Sequence, residues 1–212
     1  MSVDEEGIFK SRLPHIDKEI NNDIEPGIQN ISGIEIHDNF LDDEDYQNLK
    51  LAFCTSEVDW KWNDSVVYSD HRDHVYNFQF VHTIHHNSEF VSEWSKLTYP
   101  ILSNLKAKVL LRIKANLNVR TPTIIERKYH NDMNMDFIQT GYPSFPIDTT
   151  DHIPYKTAIY YVNSNDGYTL FECGKKIESV SNRIVIFPGK LKHAGTTCTN
   201  EKIRVVLNIN YI

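Results

Sequence analysis

Apolar and polar positions alternate in short runs over the second half of the chain. Beyond about residue 106 most of these runs have a period of two, the repeat of a β-strand with one buried face. Turn sequences such as Asn163-Ser-Asn-Asp-Gly167 and Phe187-Pro-Gly189 separate them. The pattern predicts strands at residues 109–117, 123–129, 157–163, 168–172, 183–187 and 203–211. Short strands with turns between them favour a sandwich or jelly roll over a parallel βαβ sheet.

The first half of the chain mixes strand and helix patterns. Residues 33–37 alternate like a short strand, and Asp42 or Asp43 can cap a helix that follows it. Residues 75–84 alternate again, whereas residues 88–105 repeat apolar side chains at helical spacing. We therefore expect a mainly β protein, a double-stranded β-helix of the jelly-roll, cupin-like kind, with N-terminal helices packed on one face.

The length of the chain fits one domain. A chain of 212 residues buries one good core and is too short for two. Residues 1–32 are polar, carry Pro14 and Pro26 and show no steady apolar period, so we expect an N-terminal arm there. Residues 33–212 are predicted to form the domain, with the β-helix core starting at about residue 106.

Charge and cysteine content exclude several classes of protein. The net charge of −7 argues against a non-specific grip on nucleic acid, which depends on Lys and Arg. There is no apolar run of about 18 residues and no basic, apolar signal peptide at the start, which predicts a soluble protein of the cytoplasm. Three cysteines without a CxxC pair indicate neither a disulfide framework nor a thiolate zinc site. Ten histidines direct attention to a metal site instead.

Two His-x-Asp pairs offer metal-ligand spacing. On an extended segment, His130 and Asp132 would point to the same side. The pair His71 and Asp73 has the same spacing, but it lies among polar residues ahead of the predicted barrel, where a solvated loop is the simpler interpretation. His193 follows a predicted strand and turn, and a jelly roll could return it to the side of His130.

Two histidines and one carboxylate on one face of a metal ion suit Fe(II) and leave coordination positions open for substrate and oxygen. A closed structural zinc site would require a fourth protein ligand. From the sequence, His152 or Cys198 could supply that ligand, so the zinc alternative stays open.

The last predicted strand places an arginine on the face opposite the one that carries Ile203. Arg204, Val206, Asn208 and Asn210 share one face, while the alternate apolar residues from Ile203 onward share the other and are expected to pack under the helices. A buried guanidinium needs an anion, and a ligand carboxylate fits its fork. A salt bridge to Asp or Glu is the alternative.

These residues resemble a known family. The chain is similar to 2-oxoglutarate and Fe(II)-dependent dioxygenases, in particular to the prolyl 4-hydroxylase-like branch and its short bacteriophage-type members. The resemblance covers roughly residues 110–212. Its parts are His130-x-Asp132, the segments at 157–163, 167–171 and 181–187, His193-Ala-Gly195 and the segment at 204–208.

The resemblance implies roles for particular residues. His130, Asp132 and His193 would be the iron ligands, and Arg204 would pair with the 5-carboxylate of 2-oxoglutarate. Of the adjacent tyrosines at 160 and 161, one should face inward, and the resemblance implies that Tyr161 hydrogen-bonds the same carboxylate.

The resemblance also implies Asn116 as a further cosubstrate contact. The chain departs from the family pattern in the long segment at 133–156, and at Gly167-Tyr168, where Gly-Gly is frequent. We expect residues 133–153 to act as a lid over the iron, with packing against the arm as the alternative.

A 2-oxoglutarate-dependent dioxygenase would take Fe(II), 2-oxoglutarate, dioxygen and a peptide, prolyl for example, or a small molecule. It would hydroxylate a C–H bond and release succinate and CO2, in the host cytoplasm if phage-encoded. Two alternatives remain: a non-catalytic cupin-like module that binds metal or serves a structural role, and a nucleic-acid demethylase-type oxygenase, which the acidic balance argues against.

Overall fold

A computed structural model describes residues 28–31, 33–66, 75–133 and 154–212. Of the predicted arm, only the backbone of residues 28–31 is described, and it forms a strand. The second His-x-Asp pair, at residues 71 and 73, lies outside the described residues. Nearly all of the predicted lid lies outside them too.

Strands dominate the described part of the chain, which contains two α-helices and one 3-10 helix beside them. In chain order the elements are β1 (Ile28–Ile31), β2 (Ile34–His37), α1 (Asp43–Phe53), β3 (Lys61–Asn63), β4 (Gln79–His86), β5 (Glu89–Phe90), the 3-10 helix (Glu93–Thr98), α2 (Tyr99–Leu105), β6 (Leu110–Val119), β7 (Lys156–Tyr161), β8 (Tyr168–Phe171), β9 (Lys176–Glu178), β10 (Arg183–Pro188), β11 (His193–Gly195) and β12 (Ile203–Tyr211).

Two antiparallel sheets form the jelly roll. The large sheet has the strand order β1-β2-β10-β7-β12-β6-β4-β3, with β5 paired to β4, and the small sheet has the order β11-β8-β9. Buried side chains of both sheets meet between them, among them Tyr161 and Val206 of the large sheet and Phe171 and Ile177 of the small one. The predicted mainly β jelly roll is confirmed.

The helices cover the other face of the large sheet. Leu49 and Phe53 of α1 and Ile101 of α2 are buried in one cluster with Val205 and Leu207 of β12. Each such side chain contributes about 1.5–3 kcal/mol on burial. The predicted packing of helices on the apolar face of the last strand is confirmed. None of the helices in the described ranges is both long and apolar enough to cross a membrane.

Helix α1 begins where a side-chain cap is available. The Asp42 carboxylate accepts a hydrogen bond from the backbone N–H of Asp45 at 2.9 Å, and Asp42 is therefore the N-cap. Acidic side chains in the first turn, such as that of Asp43, favour the same helix end.

The strand predicted at residues 123–129 is wrong. In this segment one isolated bridge joins Glu126 to Thr196. Threonine side chains take over the backbone groups that a strand ladder would use: Thr121 donates to the carbonyl of Thr123, and Thr197 accepts from the N–H of Ile125. The segment is extended but irregular.

The helix predicted at residues 88–105 is correct only in part. Asn87 and Ser88 have positive φ angles of 50° and 64° and form the turn between β4 and β5. Helical structure starts after Ser92, whose hydroxyl accepts from the N–H of Trp94. It is first a 3-10 helix and then α2, which carries Pro100 in its first turn, where the missing N–H does no harm.

Candidate active site

The structure brings His130, Asp132 and His193 together. His130 and His193 form an isolated antiparallel bridge, with N–H to carbonyl distances of 3.0 and 3.1 Å in the two directions. Asp132 follows two residues later, and the candidate ligand atoms of all three side chains lie within 4.8 Å of one another. The backbone bridge thus places three side chains that are distant in the chain around one point.

The two imidazoles are oriented by backbone carbonyls. Nδ1 of His130 lies 3.1 Å from the carbonyl oxygen of Lys128, and Nδ1 of His193 lies 3.4 Å from that of Leu191. A carbonyl only accepts, so each Nδ1 carries the proton and each Nε2 keeps its lone pair for a metal. Burial lowers the pKa of His193, which favours the neutral, metal-binding form.

Asp132 is held by several donors. Its Oδ1 accepts from Asn208 Nδ2 at 3.1 Å and lies 3.3 Å from Arg112 Nη2, and its Oδ2 lies 3.4 Å from Asn210 Nδ2. Burial by itself would raise the pKa of Asp132. In acid, where the imidazole of His193 is protonated, its charge and that of Arg112 outweigh burial and hold this pKa at about 2. The carboxylate is ionised at neutral pH.

The donor set fits Fe(II). Two neutral imidazoles and one carboxylate form a facial triad that leaves coordination positions open. In the described ranges no fourth His, Cys, Asp or Glu joins this cluster. Cys198 lies elsewhere, with its thiol against the carbonyl of Glu201, and His152 is outside the described residues.

Arg204 lies in the same cavity as the triad. Its side chain is buried, and Nε donates to Ser179 Oγ at 2.9 Å while Nη2 donates to Thr169 Oγ1 at 3.3 Å. Among the described residues no Asp or Glu pairs with it, so the salt bridge considered from the sequence is not formed there. Burial lowers the pKa of this guanidinium, but an arginine stays charged.

Gly167 makes room for the arginine. A Cβ at this position would lie 2.7 Å from Arg204 Cδ and 2.7 Å from the carbonyl oxygen of Thr197, closer than real contacts allow. The close packing around Arg204 therefore requires a glycine at position 167, the first residue of the Gly-Tyr pair.

Tyr161 is the inward-facing member of the tyrosine pair. Its hydroxyl donates to Thr169 Oγ1 at 2.8 Å, and its ring centre lies 5.7 Å from the guanidinium carbon of Arg204. Tyr160 points to the helix side, where its hydroxyl donates to Asn182 Oδ1. Thr169 therefore links Tyr161 and Arg204, a role that no sequence pattern indicates.

Asn116 lines the cavity as well. It is 6% exposed, and its Oδ1 has no hydrogen-bond partner among the described residues. A buried acceptor without a partner is unfavourable unless a ligand or water meets it. This position is compatible with contact to a small molecule in the cavity.

Comparison with known proteins rests on structure alone, because no protein-family model and no curated protein matches the chain. A 2OG-Fe(II) oxygenase-family oxidoreductase from Burkholderia pseudomallei has 10% identity and a TM-score of 0.55, over 84% of each chain. A prolyl hydroxylase from Trichoplax adhaerens, in complex with a hypoxia-inducible-factor peptide, has 13% identity and a TM-score of 0.56, over 84% of this chain and 83% of that one.

HygX from Streptomyces hygroscopicus, solved with nickel and 2-oxoglutarate bound, has 10% identity and a TM-score of 0.52, over 84% of this chain and 82% of that one. Identities this low establish the fold and not the reaction. The predicted resemblance is confirmed at that level: the chain has the jelly-roll fold of the 2-oxoglutarate and Fe(II)-dependent oxygenases.

Proposed function

We propose that this protein is an Fe(II)- and 2-oxoglutarate-dependent oxygenase that hydroxylates a C–H bond. The observation that carries the proposal is one cavity that contains both a facial triad and a buried arginine without a carboxylate partner among the described residues. A ligand with one end on the metal and a carboxylate at the other end would meet both features.

Different residues would bind the metal and the cosubstrate. His130, Asp132 and His193 would hold Fe(II), and Arg204 would bind the far carboxylate of 2-oxoglutarate, with Tyr161 beside it. The chemistry supplied by Fe(II) and 2-oxoglutarate when bound is the oxidation of a C–H bond to C–OH by dioxygen, coupled to conversion of the cosubstrate into succinate and CO2. The protein orients the reactants and excludes water from the cavity.

Arg204 favours an enzyme over a cupin-like module that only binds metal. Burying a guanidinium is costly without an anion, and two neutral hydroxyls, those of Ser179 and Thr169, compensate for this only in part. A metal-binding module has no need for such a group. A dicarboxylate cosubstrate provides the missing charge in bidentate geometry.

For the substrate, a peptidyl proline is the first candidate to test, since the Trichoplax neighbour is a prolyl hydroxylase solved with a peptide. Small molecules are the second class, and the net charge of −7 argues against nucleic acid. Binding to DNA that weakens with salt would favour the demethylase-type alternative instead.

The test compares Arg204→Met with Arg120→Met, which changes an exposed arginine. In wild type, anaerobic addition of Fe(II) and 2-oxoglutarate should give a weak metal-to-ligand absorption band, and aerobic incubation should give succinate. We expect Arg204→Met to raise the 2-oxoglutarate concentration for half-saturation by about 100-fold, as for a lost charged hydrogen-bonded pair, with metal affinity retained. Arg120→Met should behave like wild type.

Iron-loaded wild type that shows no absorption band and forms no succinate would contradict the proposal, and the non-catalytic cupin-like alternative would replace it. Equal 2-oxoglutarate affinity in wild type and Arg204→Met would show that the cosubstrate carboxylate binds elsewhere.

A further inference from the structure

A second cation, Lys114 of β6, faces the cavity. Its side chain is half-buried, and its ammonium makes no hydrogen bond or ion pair within the part of the chain that the structure describes. Burial and the charge of Arg112 lower the pKa of Lys114 to about 8, against the opposing effect of Asp132. The group therefore stays mainly protonated at neutral pH.

Lys114 is separate from the arginine assigned to the cosubstrate. In the pairing of β6 with β12, Lys114 lies opposite Asn208, and Arg204 lies opposite Asn118. These two cross-strand pairs are four residues apart, which corresponds to about 13 Å along the strands. The two cations are therefore anchored toward opposite ends of the site.

Asn208 supplies a second, independent observation. It is 7% exposed and lines the cavity, and its Nδ2 donates to Asp132, which fixes the orientation of the amide. The Oδ1 atom is then left as a buried acceptor, with no partner among the described residues. The strand position directly opposite this acceptor is that of Lys114, whose ammonium has no partner in the described part of the chain.

Neither group is explained by the metal ligand next to them. Asp132 already has Asn208, Asn210 and Arg112 as partners, and no ion pair joins it to Lys114. A hydrogen bond between the Lys114 ammonium and Asn208 Oδ1 would satisfy both groups, but none is formed. A ligand that carries an anion and a donor on neighbouring atoms would satisfy both at once.

We propose that Lys114 and Asn208 bind the primary substrate, and that this substrate presents a carboxylate to Lys114 and an adjacent N–H or O–H donor to Asn208. The inference rests on the proposed function, in which the metal side of the cavity receives the substrate. One cation beside one acceptor matches a monoanionic carboxylate with a neighbouring donor. An α-amino acid, free or at the C-terminus of a peptide, has this arrangement.

The test uses Mn(II)-loaded protein, in which no turnover occurs, with and without 2-oxoglutarate. The probes are the free α-amino acids and their carboxamides, together with tripeptides, including some ending in proline, that have a free or an amidated C-terminus. Melting temperature and dissociation constant are measured for each probe. Lys114→Met and Lys114→Gln are compared with Lys156→Met, a change of an exposed strand lysine.

We expect at least one carboxylate to bind about tenfold more tightly than its carboxamide, and both Lys114 variants to abolish that preference while Lys156→Met retains it. Affinity for 2-oxoglutarate in the Lys114 variants should change by less than about twofold, because Arg204 is not altered. Preference for free acids would identify a small-molecule substrate. Preference for tripeptides would identify a peptide C-terminus.

Two results would overturn the inference. One is the absence of a carboxylate preference in both probe sets, and the other is a loss of 2-oxoglutarate affinity on Lys114→Met, which would place Lys114 at the cosubstrate. Failure of the proposed function looks different: metal-loaded wild type would not bind 2-oxoglutarate at all, whereas the carboxylate preference is still measurable without it.

Discussion

The carboxylate of Asp132 shows how much of this site depends on residues that do not touch the metal position. Asn210 Nδ2 lies 3.4 Å from Asp132 Oδ2 and donates to Thr157 Oγ1 at 3.0 Å, so the amide is itself held in place. Asn208 holds the other oxygen of the carboxylate. Because amides do not ionise, this support is the same at every pH at which the protein is folded.

Replacing Asn210 should weaken metal binding without removing a ligand. We expect Asn210→Ala to lower Mn(II) affinity by about tenfold, the usual effect of losing a group that orients a metal ligand. Calorimetric titration of the metal-free protein measures this. Asn104→Ala is the control, since Asn104 lies at the surface and donates to the carbonyl of Phe40. Unchanged affinity in Asn210→Ala would mean that Asp132 is positioned by Asn208 and Arg112 alone.

The sequence reveals some of these residues better than others. His130, Asp132 and His193 could be identified because their side-chain types and spacing are typical of metal ligands. The strand period placed Asn208 on the same face as Arg204. Asparagine occurs in so many structural settings, however, that the residue type alone does not indicate a role in the site. Thr169 had no sequence signal at all, because its contact with Arg204 depends on how the small sheet lies over the large one.

Strand β12 is the element on which the architecture depends most. Val205 and Leu207 pack under the helices, while Arg204 and Asn208 face the cavity. One face of the strand therefore belongs to the hydrophobic core and the other lines the candidate active site. Period-two alternation makes such an element easy to predict. The segment at 123–129 has a similar alternation, yet the side chains of Thr121 and Thr197 bond its backbone groups where a regular ladder would use them.

The turn after β2 is tied to β10 by an ion pair. Arg183 Nε and Nη2 lie 2.5 and 2.9 Å from the two oxygens of Asp38. The hydrogen bond from Arg183 lowers the pKa of Asp38 against the opposing effect of burial. Since the folded pKa lies below the unfolded value of about 4, the pair stabilises the fold above that pH and the contribution is lost as pH falls through the folded pKa.

We therefore expect Asp38→Asn to reduce the free energy of unfolding at pH 7, and the difference from wild type to fade in acid below about pH 4. The side chain is about half exposed, which limits the effect to under about 1 kcal/mol. Urea unfolding at several pH values measures it. Asp64→Asn, at an exposed position, is the control. A difference that persists unchanged into acid would mean that the ion pair is not the cause.

At the scale of the whole molecule, the site joins the two sheets. His193 and Thr169 belong to strands of the small sheet, whereas Arg204 and Asn208 belong to β12 of the large one. A metal ion bound to the triad and a carboxylate bound to Arg204 would each connect the small sheet to the large one. The apolar cluster between the sheets and the hydrogen bonds of Thr169 to Tyr161 and Arg204 join the sheets as well. Ligands should therefore add to how firmly the small sheet is held.

Hydrogen exchange can show this directly. At a ligand concentration of about 100 times the dissociation constant, binding stabilises the folded state by about 2.7 kcal/mol, which slows exchange about 100-fold wherever opening separates the sheets. We expect Mn(II) with 2-oxoglutarate to slow exchange in β8 and β11 far more than in α1, which packs on the opposite face of the large sheet. In Arg204→Met, the part due to 2-oxoglutarate should disappear while the part due to metal remains. Equal protection of α1 and the small sheet would mean that the molecule opens only as one unit, and that the site does not couple the sheets locally.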